Sequence, residues 1–123
     1  MREYAKVGPG FWLGTTGRAL RGNKEAQIVA AYLLTSPHAN MLGLYYLPIA
    51  LVSHETGLPF EGASKGLRRA IEVGFCQYDE GTEMVWVMEM ARFQIGDRLD
   101  PADKRAKGVA SEYANLPDNP FLA

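Results

Sequence analysis

One stretch constrains this chain more than any other. Between Leu47 and Gly74 two apolar-patterned segments are separated by Gly57 and bounded by Pro48, Pro59 and Gly74. Proline is tolerated at the first position of a helix, where its missing N–H would have no partner anyway, so Pro48 opens a helix over Ile49 to Thr56. Gly57 suits the left-handed residue that ends a helix. Leu58-Pro59 turns the chain, and Phe60 to Val73 forms a second helix ended by Gly74. Its expected buried face is Ala63, Leu67 and Ile71, at i, i+4 and i+8, with Lys65, Arg68, Arg69 and Glu72 projecting elsewhere. Ser53 is the small residue that a tight helix–turn–helix needs four positions before its turn glycine. Val52, Leu58 and Ala63 supply the apolar residues around the turn; Thr56 departs from that pattern.

The flanks extend this unit. Asn23 is an N-cap for a helix over Lys24 to Thr35, in which Ala26, Val29, Ala30 and Leu33 share a stripe and Ile28 and Tyr32 widen it. Thr35-Ser36-Pro37 stops that helix, and Gly43 to Leu47 reads as a short strand. After Gly74, Phe75–Tyr78 and Glu83–Met88 are β-like runs joined by Asp79-Glu80-Gly81-Thr82, which makes a hairpin. Met84, Trp86 and Met88 alternate on one strand face and are expected in the core. The order of these elements specifies an α+β chain: a winged helix-turn-helix, with a three-helix core and a small antiparallel β-sheet. It spans residues 23–95. Residues 1–22 form an N-terminal arm, glycine-rich around Phe11-Trp12, with Phe11 to Leu13 either a short strand or a packed segment. Gly14-Thr-Thr-Gly17 lacks the length and the Lys-Ser/Thr of a phosphate loop and reads as a turn with aromatic anchors. Residues 96–123 form a C-terminal extension. There Asp100 caps a helix that Pro101 starts, with Ala102, Ala106, Val109, Ala110 and Tyr113 on one face.

Composition bounds the function classes. The chain has 123 residues, 47% of them hydrophobic and 22% charged, with a formal net charge of −1. That is globular, and lacks the strong basicity usual in a nucleic-acid-coating domain. The layout is uneven: residues 1–25 carry net +3, residues 61–75 net +1 and residues 76–101 net −4. Cys76 is the only cysteine, which excludes an intrachain disulfide and suits a reducing compartment. No signal peptide opens the chain, and the apolar run Met41 to Val52 is too short to span a bilayer. A cytoplasmic protein with no membrane association is expected.

Several motifs carry a resemblance. Tyr32-Leu-Leu-Thr-Ser-Pro-His38, Asn40-Met-Leu-Gly-Leu-Tyr45, Leu47-Pro48, Gly74-Phe75, Tyr78-Asp79 and Val85-Trp86-Val87 resemble the winged-helix N-terminal domains of phage and prophage replication-initiation and regulatory proteins. The resemblance covers Trp12 to Gln94 and implies DNA binding in replication initiation or transcriptional regulation. Such domains often cap the recognition helix with Ser or Thr, where this chain has Pro59. Residues after Gln94 resemble the continuation of the same proteins. Leu116 to Ala123, ending on apolar residues, reads as the end of a fragment or shortened member of a longer family, with a natural chain end as the alternative.

On that reading double-stranded DNA is the partner, with a second copy (a homodimer) or replication proteins as further ones. Ser64, Lys65, Arg68 and Arg69 are the outward set of the recognition helix, since Arg and Lys hold phosphates and Arg reads guanine. Arg18, Arg21 and Lys24 add backbone contacts if the N-terminal arm lies beside this face. Glu61 and Glu72 oppose phosphate, and Gly62 and Gly66 each weaken the helix by up to about 1 kcal/mol relative to Ala. The hairpin tip, with Asp79, Glu80 and Glu83, is repelled by phosphate and is expected to stay out of the minor groove. The alternative is a winged-helix assembly module that contacts proteins through the acidic hairpin and C-terminal helix, without DNA readout.

Enzyme readings find little support. His54-Glu55 lacks the second histidine of a zinc-protease helix, and His38, His54 and Cys76 are too few and too scattered for a closed zinc site. His38 is expected to cap or hydrogen-bond a loop, and Cys76 to be a buried, inert thiol. No catalytic constellation, metal or cofactor is expected.

Overall fold

The computed structural model describes residues 3–40, 42–88, 90 and 120–122. Among these the chain is α+β, with five α-helices and one small antiparallel sheet. Helices α1 (Gly10–Leu13) and α2 (Thr15–Ala19) are single turns, so Phe11 to Leu13 is helical, in a packed segment, and forms no strand. Phe11 is buried and meets Phe75 edge-on at 6.1 Å, which ties the start of the chain to the body of the domain. Helix α3 (Lys24–Thr35) begins as expected, with the Asn23 side chain accepting the Ala26 N–H at 3.0 Å.

Strand β1 (Leu44–Tyr46) follows a loop organised by Asn40. Its amide oxygen accepts the Gly43 N–H at 2.9 Å, and its amide nitrogen donates to the Leu44 carbonyl at 2.8 Å. Helix α4 (Ile49–Thr56) ends at Gly57, whose φ of 78° is the left-handed conformation that glycine adopts without strain. The turn is closed by side chains. Ser53 Oγ donates to the Leu58 carbonyl at 2.7 Å; Thr56 Oγ1 donates to the Val52 carbonyl at 2.7 Å and accepts the Leu58 N–H at 3.2 Å. Thr56, which breaks the apolar pattern of the turn, is therefore one of its fasteners.

Helix α5 (Phe60–Glu72) lies against α3. Gly62 and Gly66 explain how closely. A Cβ at Gly66 would stand 2.6 Å from the Glu25 carbonyl oxygen and 2.7 Å from Val29 Cγ2, and one at Gly62 would stand 2.6 Å from the Glu25 carboxylate. The two residues that lower the helix propensity of α5 are the ones that let it approach α3. Ala63, Leu67 and Ala70 complete the buried face. Ile71 is 38% exposed and sits outside it, whereas its neighbour Ala70 is fully buried.

Strands β2 (Cys76–Asp79) and β3 (Met84–Val87) form the hairpin. β3 is central, in the order β1-β3-β2, with Tyr45 opposite Val85 and Tyr78 opposite Val85 on the other side. Val85 and Val87 face the main core together with Tyr45 and Cys76. Met84 and Trp86 point to the opposite sheet face, as the alternation of a strand requires. Met84 is buried there, and Trp86 is half-buried, its ring centroid 5.8 Å from that of Phe121 in the short 3-10 turn Pro120–Leu122. Two tyrosine hydroxyls fasten the sheet: Tyr45 donates to the Leu33 carbonyl of α3 at 2.7 Å, and Tyr78 to the Leu47 carbonyl, in the link between β1 and α4, at 2.9 Å. The helix expected from Asp100 lies outside the described residues.

Candidate functional site

At 100° per residue, Ser64, Arg68 and Lys65 fall on the arc of α5 opposite Ala63, Gly66, Leu67 and Ala70. Burial agrees: Lys65 and Arg68 are exposed, while Ser64 and Arg69 are half-buried at the edges. Arg69 is engaged with Glu72 one turn along, Nη1 to Oε2 3.1 Å. Glu61 and Glu72 are exposed on the same helix, so three cations and two carboxylates share this surface. Pro59 at the N-cap leaves α5 without a side-chain cap.

The arm residues divide. Lys24 opens α3 beside Glu25, and Glu25 touches Gly62 and Gly66, so Lys24 is carried to the first half of α5. Arg18 and Arg21 are exposed on the arm. The arm is folded on itself: a Cβ at Gly17 would meet the Phe11 carbonyl oxygen, and Arg21 donates to the Trp12 carbonyl at 3.5 Å.

The hairpin surface is acidic and shaped by its own side chains. Asp79 Oδ2 accepts the Thr82 N–H at 2.9 Å and the Thr82 hydroxyl at 2.6 Å, and these bonds hold the Asp79 carboxyl below its usual pKa. Between the hairpin and the starts of α4 and α5 lies an open groove of about 300 Å³. Pro48, Ile49, Ala50 and Phe60 give it an apolar wall, and Tyr78 lies opposite. Glu80 and Glu83 supply its charge. Phe60 is 58% exposed at the first position of α5. Burial, with the nearby Glu83 carboxylate, pushes the Tyr78 hydroxyl up to about 12, so it remains a neutral donor at physiological pH.

A second cluster joins α3 to α4. Glu55 Oε1 accepts a short hydrogen bond from the Tyr32 hydroxyl and lies 2.9 Å from His38 Nε2. The Tyr32 bond, reinforced by His38, lowers the Glu55 pKa; burial and the Glu55 contact raise Tyr32 to about 12. A tyrosine so raised keeps its proton near neutrality, so the trio acts as a clip between helices. Glu55 is the one Lys, Arg, Asp or Glu between residues 26 and 60, and that isolation is the sequence signal that marks it. The His38 backbone N–H also donates to Ser36 Oγ at 3.1 Å, whereas its ring, expected to cap or hydrogen-bond a loop, meets Glu55 of α4 instead. Cys76 is fully buried, and desolvation raises its thiol to about 12.

Among the described residues no three His, Cys, Asp or Glu side chains gather as a metal site, and no helix is long and apolar enough to cross a membrane. Compared with known proteins, the chain matches no family model, no curated protein and no solved structure.

Proposed function

We propose that this α+β domain is a winged helix that binds double-stranded DNA through α5, in a phage or prophage protein of replication initiation or transcriptional regulation. The observation that carries the reading is the arrangement around α5. A helix, a strand, a glycine-turned helix pair and a hairpin with sheet order β1-β3-β2 bury one side of α5 and leave Lys65 and Arg68 exposed on the other. The major groove, about 12 Å wide, admits a helix. In it Arg68 takes guanine O6 and N7 or a phosphate, Lys65 and Arg69 take phosphates, and Ser64 donates at the groove edge. Lys24, with Arg18 and Arg21, adds phosphate contacts from the arm. The acidic hairpin stays clear of the duplex.

The test is a salt titration of binding to random-sequence duplex. With so few cations on the surface, log K should fall against log salt with a slope of roughly −3 to −5, about −0.9 per phosphate contacted. Binding by an Arg68→Ala/Arg69→Ala variant that equals wild type would refute the assignment.

The apolar groove between Glu80 and Glu83 favours a second reading, in which the domain serves protein–protein assembly. Light scattering on the chain with and without residues 100–123 distinguishes the two. A monomer in both forms, alongside firm DNA binding, removes the assembly reading.

A further inference from the structure

The arm and the groove are complementary. Residues 4–8 form neither helix nor strand, and Tyr4 is 79% exposed, with Val7 also open to solvent. Arg2 and Lys6 flank Tyr4 against a single Glu3, in the part of the chain that carries net positive charge. The groove has the inverse character: apolar along Pro48, Ile49 and Phe60, acidic at Glu80 and Glu83, with no basic residue among the described residues that line it.

We propose that this groove receives the N-terminal arm of a second copy of the chain, with Tyr4 against Phe60 and Ile49 and Lys6 reaching Glu80 and Glu83. In an extended segment alternate side chains share a side and lie about 7 Å apart, so Tyr4 and Lys6 address the apolar wall and the carboxylates together. The donor is a second copy because of where the arm is anchored. Phe11 packs on Phe75, past the C-terminal end of α5, whereas Phe60 begins that helix. The thirteen residues of α5 put about 20 Å between them, a span the residues before Phe11 cover only if almost fully stretched. Reciprocal exchange of arms gives a closed two-fold dimer. The contact specifies the assembly reading above and rests on it; it is independent of DNA binding by α5.

Sedimentation equilibrium of the full chain, with variants in arm and groove, tests this. Wild type should associate with rising concentration, and association should weaken toward about 1 M salt, where charges are screened within about 3 Å. Glu80→Lys/Glu83→Lys in the groove, and Arg2→Glu/Lys6→Glu in the arm, should each raise the dissociation constant about tenfold or more. Mixing the two variants should restore association, because each then offers the charge the other needs; that recovery also shows both are folded. Association that survives both reversals overturns the arm–groove contact while leaving assembly standing. A wild-type monomer up to about 500 µM at low salt, where association would be worth less than about 5 kcal/mol, overturns the arm–groove contact, and together with firm DNA binding it removes the assembly reading as well.

Discussion

Helix α5 and the hairpin that follows it carry opposite charge on different kinds of support. The basic side chains of α5 stand on a regular helix whose far side is fixed by the close approach of Gly62 and Gly66 to α3. The carboxylates of the hairpin stand on a loop held by local bonds, Asp79 to Thr82, with Glu83 at a positive φ of 56°. A cationic surface on a rigid element suits a partner of fixed geometry, such as a duplex. An acidic surface on a loop, beside an apolar groove, suits a short segment that adapts to it. The near-neutral total charge thus conceals two surfaces, and measurements on one should leave the other unchanged.

The largest effect is expected from breaking the support of the basic surface. Gly66→Ala should lower the unfolding free energy in urea by about 1–3 kcal/mol through overpacking, although Ala outranks Gly in a helix by about 1 kcal/mol. A more stable variant would show that α3 and α5 do not approach as closely as described. Next comes the charge itself. In the duplex titration, Arg68→Ala/Arg69→Ala should weaken binding tenfold or more and flatten the salt slope by about one if Arg68 reads guanine, or about two if it holds a phosphate as Arg69 does.

Smaller, and on neither surface, is the clip at Glu55. Tyr32→Phe should cost about 0.5–1.5 kcal/mol, the net worth of one hydrogen bond. The sign with pH follows from the lowered Glu55 pKa. Its contribution is present above the unfolded glutamate value of about 4.3 and disappears as pH falls from there toward the lower folded value. The difference between wild type and Tyr32→Phe should therefore shrink below about pH 4, as followed by thermal melts; a gap that widens in acid would contradict the bonding pattern. Least of all should neutralising the hairpin matter to DNA. Glu80→Gln/Glu83→Gln should change duplex affinity by less than about threefold, because on the proposed reading the hairpin stays clear of phosphate and salt screens what remains. A large gain would mean that the hairpin lies against phosphate.

Much of this architecture is legible in the residue order because its signals are local. Asn23 caps, Pro48 opens, Gly57 turns and Gly74 ends, each through its own backbone chemistry. What escapes the sequence is pairwise and distant. Gly62 and Gly66 weaken α5 when it is considered alone and are requirements only once α3 is against it. Ile71 fits the i+8 position of a stripe, yet it is Ala70 that is buried and Ile71 that is partly exposed. Met84 and Trp86 alternate as core residues do, but alternation cannot say which sheet face is the principal one. Along α5 the exposed set of Lys65 and Arg68 follows from helical period alone. The groove does not, since Pro48, Phe60 and Glu83 meet only through the turn and the hairpin. The Glu55 clip likewise joins residues from three segments.

The glycine seam between α3 and α5 also bears on how such a domain changes over generations. Substitutions at Gly62 or Gly66 run into backbone or side-chain atoms of α3, whereas substitutions at Lys65 or Arg68 meet solvent. Inheritance can therefore vary the outer side of α5 while holding the inner side constant. A library randomised at the outer positions should return mostly folded proteins with altered preferences, and one randomised at the two glycines should return few.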